Sequence, residues 1–531
     1  MIREGRFGAA AQFFLETARS RPDLSVRAWR ETATIDPGME IADRVRRYAR
    51  KADPSAEFLI ESELHVPMMA ASQTDPGRWR RRLEAGLTTL EAMDLVITHP
   101  ERMGYTHMFG YFHVEHDKGI LPIKIRYAEL LSRACPELNH VSHAVEARLR
   151  RTRIGRLRLG VVVANCHTAM FSSMHSQFLG QFDRSRFEVV LFRPVYDRHD
   201  QLREFLDPVD AAADRVAPYP RDDFRGLFRT IEGAEVDILV HENWKPPLNL
   251  VGMARLAPVQ CSFFDSVQSM GTPNEDYVLL CGKPEWLEVW RSWYREKIAL
   301  LPDWPYRPEI GAQPFTPVGR KDLGLPEECP VLFTWQPVYR WRLGDDAICT
   351  RLLARNPGLH LVVISNPANA GDFFRERLLG SRRDIADRVH FIVHQPFDRL
   401  LGIIETADVL LAPPGTTGAL SVATAIAAGK PYAVLANETF SQYVDGMWLY
   451  ETIGATGMVA RNVDEYVGMV QRFLDDAEWR GARIGEFREG VRLRPSTISP
   501  MRELEGFLHS SFRRARQGLG PGHWFDGEFL D

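Results

Sequence analysis

Hydrophobic positions along this chain fall into two regimes that meet near Leu157. Before it, apolar residues recur at three- and four-residue spacing. In the segment Gly5–Leu24, Phe7, Ala10, Phe13, Phe14 and Ala18 share one helical face, and Pro22 marks the end. A second amphipathic stretch covers Val26–Ile35, and the same period predicts helices over Trp79–Ile97 and Ile125–Cys135. No strand-like alternation interrupts this region. After Leu157, short valine-rich apolar runs take over: Leu157–Ala164, Phe187–Phe192, Val236–Val240, Val259–Phe264 and Tyr277–Leu280. Short runs that are apolar on both faces are what buried parallel strands require. A Trp/Pro-rich stretch at Pro302–Pro308 suits a linker. A second series then opens with Val331–Trp335 and continues through Leu359–Ser365, Val389–Val393, Val409–Ala412 and Tyr432–Leu435. Helices are predicted between these runs at Asp345–Arg355, Asp372–Leu379, Phe397–Thr406 and Ala419–Ala428.

Strands that alternate with helices imply βαβ units and parallel sheets covered on both faces. The organisation read from this is an all-α part over 1–152, a first α/β domain over 153–310 and a second over 311–498. A last helix, Ser499–Gln517, and an irregular tail, Gly518–Asp531, make up 499–531. The first two helices resemble a tetratricopeptide-type pair, which cannot bury its apolar face alone and must pack on the adjoining chain. Two Rossmann-like domains in tandem, facing a cleft, constitute the GT-B arrangement. The last helix is expected to cross back to the first of them. In such sheets ligands sit beyond the carboxyl ends of the strands, so the loops after each strand carry the chemistry.

Composition narrows the class. A net charge of −4 provides no global field for nucleic acid or an anionic membrane. The basic runs at Arg80–Arg82 and from Arg148 to Arg158 read as a solvated face or linker. No pair among the 6 cysteines has CxxC spacing, which argues against a structural zinc or a redox dithiol. The first residues lack an apolar h-region, and no apolar stretch reaches the roughly 18 residues that span a bilayer. A reducing, cytoplasmic location is therefore expected, without a membrane span.

One segment is more specific. Gly418-Ala-Leu-Ser421-Val-Ala-Thr424-Ala-Ile-Ala-Ala-Gly429-Lys-Pro431 comes after a strand and a small-residue loop. Small residues let phosphates approach the free amides of a helix start, Gly429 ends the helix, and Pro431 prevents its continuation. The segment resembles the G-x-x-S-x-x-E-A-x-A-x-G-x-P stretch of GT-B glycosyltransferases. Other landmarks are Asp183–Val189, Arg255–Gln260, Leu301-Pro302, His390–Pro396, Ala436–Phe440 and Ile453–Tyr466. Together they resemble, in collinear order from Arg153 to Asp475, the protein O-linked N-acetylglucosamine transferase (SPINDLY-like) family. That family includes bacterial adhesin asparagine glucosyltransferases.

The resemblance implies roles residue by residue. Arg340, in Trp335-Gln336-Pro337-Val338-Tyr339-Arg340, stands where the family carries a lysine that meets the charge of the departing diphosphate. Gln336 belongs to the same donor set. Gly418, Ala419, Leu420 and Ser421 would give amides and a hydroxyl to the diphosphate, or Thr416 and Thr417 if the loop pairs differently. Thr424 replaces the family's ribose-holding acid, and Leu400 replaces a frequent histidine. Gln395 and Pro396 would border the base. On the acceptor side, His167 and His175 come after the first strand and could deprotonate a hydroxyl or contact phosphate; the bland reading is a helix cap. Other loops offer His241, Glu242, Asn243, Lys245, Asp265 and Ser266. Lys245 matches a family lysine, whereas Asp265 replaces a family glycine and is a candidate base or an acceptor contact.

With no D-x-D at a strand end, no metal is expected, and no cofactor beyond a UDP-sugar co-substrate. The expected activity is that of an inverting transferase acting on Ser/Thr or Asn of a protein or peptide acceptor. The alternatives are a GT-B enzyme acting on a small molecule or glycan, and a degenerate scaffold that binds without turnover. The oligomeric state stays open, a homo-oligomer among the options.

Overall fold

The computed structural model describes residues 7–36, 39–67, 75–103, 119–152, 155–197, 199–243, 247–263, 269–305, 315–365, 368–380, 382–414, 418–436, 441–493 and 498–530. The backbone divides into two compact units. One takes Met1–Leu83, Gly110–Asp117 and Ile310–Arg494; the other takes Glu84–Phe109, Lys118–Glu309 and Pro495–Asp531.

In the first unit, helices Phe7–Ser20, Ser25–Ile35 and Glu40–Ala52 pack on one another, and the second also packs on helix Ala368–Leu379. Trp29 anchors this cluster, edge-on to Phe58 at 5.3 Å and to His65 at 5.4 Å. Glu40–Ala52 carries its apolar face at Ala42, Val45 and Ala49, a helical spacing diluted by arginines. Helix Ala56–Glu63 starts where the Ser55 hydroxyl accepts the Phe58 amide at 3.2 Å, closing an N-cap. The basic run Arg80–Arg82 is not wholly solvated, because Arg82 makes two bonds, 2.9 and 2.7 Å, to the Asp43 carboxylate.

The second unit begins its described helical part with the remainder of helix Asp75–Glu91. That helix stops short of the predicted Ile97. The Ile97 amide instead donates to the Ala134 carbonyl at 2.8 Å, occupying an orphan acceptor at the end of helix Ile120–Ala134. Seven strands come next: β1 (Leu157–Val162), β2 (Phe187–Pro194), β3 (Arg215–Tyr219), β4 (Ile238–His241), β5 (Val259–Ser262), β6 (Tyr277–Cys281) and β7 (Lys297–Leu301). They run parallel in the order β7-β6-β5-β4-β1-β2-β3. β3 and β7 have no counterpart among the apolar runs of the sequence; β3 is an edge strand carrying Pro218 and is largely half-exposed. At the centre Gly160 is obligatory, because a Cβ there would meet the Phe192 ring at 2.8 Å and Val236 at 3.0 Å.

The remaining sheets belong to the first unit. Strands β8 (Val331–Thr334), β9 (His360–Ser365), β10 (Val389–Val393) and β11 (Val409–Leu410) form a parallel sheet in the order β10-β9-β8-β11. β12 (Val434–Leu435) pairs in parallel with β13 (Val459–Ala460).

The final helix, Ile498–Arg516, returns to the second unit, as expected. Its fully buried Glu505 accepts the Asp183 amide at 2.7 Å and pairs with Arg186 at 3.3 Å. The expected irregular tail is instead a hairpin. β14 (His523–Phe525) and β15 (Glu528–Leu530) turn at Asp526 and Gly527, both at positive φ, and extend the large sheet to nine strands beyond β7. Arg148, read as part of a solvated run, is buried: its Nε donates to Asp237 at 2.7 Å, and the same carboxylate accepts the Arg158 amide at 2.7 Å. Among the described residues no helix is long and apolar enough to cross a membrane.

Trp524 locks the hairpin, with its ring 5.6 Å from Phe507 and 5.0 Å from Phe529. Trp524→Ala leaves a cavity between these rings, and a loss of about 3–5 kcal/mol is expected in urea unfolding followed by circular dichroism. An unfolding curve like that of the native chain would show that the hairpin does not brace the sheet.

Candidate functional site

In the second sheet, strand β8 is followed by Trp335-Gln336-Pro337, and Pro337 leads into the 3-10 turn Val338–Arg340. This turn aims Arg340 back at the strand end, where its Nη1 donates to Gln336 Oε1 at 2.7 Å. The Gln336 side-chain amide in turn donates to the Ser421 hydroxyl. Ser421 lies in the first turn of helix Ala419–Ala427, whose N-cap is Gly418 in an extended conformation. A guanidinium, a carboxamide, a hydroxyl and a helix N-terminus thus converge on the carboxyl end of one parallel sheet. Such a helix start carries roughly half a positive charge, and together with Arg340 it makes a place for an anion.

Beneath this group lies an aromatic floor. Trp335 stacks on Tyr432 at 5.2 Å and 28°. Burial pushes the Tyr432 hydroxyl well above its ordinary range, so it stays protonated. Thr424, one turn further along the helix, is buried. Gly429 ends the segment at φ +64°, a left-handed position where a Cβ would also strike Arg488. Gln395 and Pro396 occupy a separate turn after β10: Pro396 caps helix Phe397–Thr406, and the Gln395 side-chain amide folds back to the Val393 carbonyl at 2.8 Å. Thr416 and Thr417 lie outside the described residues, and Ala419 and Leu420 are described only as helical backbone.

In the large sheet, the loop after β1 carries His167 and the next helix, Ala169–Gly180, carries His175. The two are not equivalent. His175 is fully buried; its Nε2 donates to the Asn165 carbonyl at 3.1 Å and stands 3.1 Å from Glu242 Oε1. Glu242, the residue after β4, uses its other oxygen to accept the Ala164 amide at 2.7 Å. His175 and Glu242 therefore brace the β1 loop from inside. His167 is half-exposed, with its Nδ1 3.2 Å from the Tyr196 hydroxyl.

Next to this brace is a buried cluster of charges. His241 Nδ1 donates to the Glu242 carbonyl at 3.1 Å, and its Nε2 lies 3.1 Å from Glu275 Oε1. Burial alone would depress this imidazole; the Glu275 carboxylate outweighs it and raises the pKa. Glu275 also accepts from the Ser262 and Thr272 hydroxyls, while Asn243 donates to Ser262 at 3.1 Å. Glu296, reached by the Ser269 hydroxyl at 3.0 Å, is pushed up to about 7, first by burial and then by the nearby Glu275. Ser269 and Thr272 come shortly after Asp265 and Ser266 in the chain. Those last two residues and Lys245 lie outside the described residues. Among the described residues no group of three or more His, Cys, Asp or Glu is arranged to hold a metal.

Sequence reasoning did not single out Tyr196, Glu275, Glu296 or Tyr432. Tyr196 carried one usable signal, its place two residues after a buried strand that ends in Pro194.

No protein-family model matches the sequence, and no curated protein matches it. Solved structures do. A point mutant of the O-GlcNAc transferase of Thermobaculum terrenum matches with a TM-score of 0.67 at 18% identity, covering 97% of this chain and 99% of that one. The likeness shows the fold: GT-B, with helices ahead of two α/β portions. Two looser matches each cover 67% of this chain and 100% of the other. They are sucrose-phosphate synthase from Thermosynechococcus elongatus (TM-score 0.43, 14% identity) and Anabaena HepE in complex with UDP-glucose (TM-score 0.45, 11% identity).

The buried Glu296 makes stability depend on pH. Its folded-state pKa near 7 exceeds the ordinary 4.5, so the folded chain holds this proton more firmly than the unfolded one. Stability should fall as pH rises from about 4.5 through about 7, and Glu296→Gln should flatten that slope in thermal unfolding scans. An unchanged slope in the variant would remove Glu296 as the cause.

Proposed function

We propose that this chain is a glycosyltransferase of the O-GlcNAc transferase kind, which moves a sugar from a UDP-sugar to a side chain of a protein acceptor with inversion at the anomeric carbon. The observation that carries the reading is the hydrogen-bonded series Arg340–Gln336–Ser421 at the start of helix Ala419–Ala427.

Transfer breaks the bond between the anomeric carbon and the β-phosphate oxygen, and UDP departs with the electron pair. The acceptor oxygen or nitrogen bonds to the opposite face of that carbon and gives up a proton. The barrier falls if the charge growing on the diphosphate meets cations and amides already in place. Arg340 offers two parallel N–H donors, and Gln336 holds one edge of the guanidinium so that its direction is set before the donor arrives. The amides of the helix start supply the remaining compensation, so the reading needs no metal ion. Thr424, in place of an acid, would give the ribose one neutral hydrogen bond. Gln395 and Pro396 would border the uracil. On the acceptor side we assign His167 to the proton, and Asn243, Lys245, Asp265 and Ser266 to acceptor contacts. The fold shared over nearly the whole chain with an O-GlcNAc transferase, helices included, is in keeping with a protein acceptor.

Calorimetric titration with UDP and GDP tests the donor assignment. UDP should bind, GDP should bind more weakly, and Arg340→Ala should weaken UDP by about 10²-fold while Arg340→Lys retains most of it. In turnover with labelled UDP-GlcNAc or UDP-glucose and cell lysate, Arg340→Ala should lower kcat by about 10²–10³-fold, with label on protein in the native reaction. Absence of binding to any nucleotide would contradict the enzymatic reading, and label found only on small molecules would contradict the protein acceptor.

A further inference from the structure

Tyr432 directly follows Pro431, and its side chain is fully buried. Its carbonyl accepts from the Tyr450 hydroxyl at 2.7 Å, and its ring stacks on Trp335. Its own hydroxyl is not committed in this way. The polar side chains that act on that oxygen are Gln336, Ser421 and Arg340, the groups of the anion site. Among the described residues, however, no group meets it with hydrogen-bond geometry. All four residues belong to one compact unit.

A buried hydroxyl without a partner is destabilising, because it has given up its bonds to water. Phenylalanine would keep the contact with Trp335 and avoid that penalty, so packing alone gives no reason for the oxygen. The donors and acceptors around it do give one. Gln336 accepts from Arg340 with its carbonyl oxygen and donates to Ser421 Oγ with its amide. Ser421 Oγ can accept one more donor, and its own hydrogen can turn to an acceptor that arrives from outside. Burial keeps the Tyr432 hydroxyl protonated at neutral pH, so it has a hydrogen to give.

We propose that Tyr432 is a positioning residue of the anion site, whose hydroxyl donates to Ser421 Oγ when Ser421 gives its own hydrogen to an oxygen of a bound diphosphate. A chain then runs from phenol to serine to phosphate, and each donor in it strengthens the next. The inference rests on the transferase reading for identifying the diphosphate as part of UDP. The hydroxyl is unpaired in the free protein and paired in the complex, so it acts on ligand affinity and not on the stability of the free fold.

Tyr432→Phe separates this role from packing by the sign of two measurements on the full chain. In thermal unfolding without ligand, the variant should melt about 2 °C above native, since the ring stays and the unpaired oxygen goes. In calorimetric titration, UDP and inorganic pyrophosphate should each bind about 10-fold more weakly. On a Ser421→Ala background the same substitution should change affinity by less than about twofold, because the receiving oxygen is gone. A lower melting temperature for Tyr432→Phe would show that the hydroxyl is already paired in the free fold and would overturn the proposal. So would an unchanged affinity, or an equal loss with and without Ser421. If pyrophosphate binds and depends on both residues while UDP does not bind, the transferase reading fails and this proposal stands. If neither ligand binds the native protein, both fall.

Discussion

A guanidinium near the end of a parallel strand has no fixed direction unless something holds it, and here Gln336 does so. Its carboxamide accepts from Arg340 and donates to Ser421, using opposite ends of one planar group to join the turn after β8 to the helix after β11. Strands β8 and β11 are neighbours in the sheet, so the loops that leave them emerge side by side. Pro337 stands before the tight turn that brings Arg340 back, and Gly418 is the N-cap at which the helix begins. The rest of this sheet serves to hold those two loops in register.

The large sheet meets a different demand: it buries ionisable side chains beside one another. Glu242, His175, His241, Glu275 and Glu296 are withdrawn from water around the carboxyl ends of β1, β4 and β5. An isolated buried charge is expensive, and each of these has a partner that reduces the cost. The brace made by Glu242 and His175 stiffens the loop that displays His167. Tyr196 adds a contact to this half-exposed imidazole, its hydroxyl 3.2 Å from His167 Nδ1.

The architecture was legible wherever periodicity was strong. The valine-rich runs became β1, β2, β4, β5 and β8 to β10 within a residue or two, and helix Phe397–Thr406 has the predicted limits. Misses have physical reasons. Helix Asp75–Glu91 ends early because Ile97 finds a carbonyl on another helix, which no local pattern announces. The terminal hairpin offered an Asp526-Gly527 turn signal, but three-residue strands are too short to show alternation beside it. Arg148 looked like one more solvated arginine because its partner, Asp237, is 89 residues away. For the site, the segment from Gly418 to Pro431 and the stretch from Trp335 to Arg340 were visible as motifs. The bonds that join them, and the phenol beside His167, depend on loops distant in sequence coming together.

Coupling through Gln336 is the central claim, and a double-mutant cycle on UDP affinity measures it most directly. Arg340→Ala, Ser421→Ala and the double variant should be clearly non-additive in native protein, with a coupling of at least about 1 kcal/mol that vanishes when Gln336→Ala is introduced. Strictly additive losses, the same with or without Gln336, would mean that guanidinium and helix start act separately and that the account of this site is wrong.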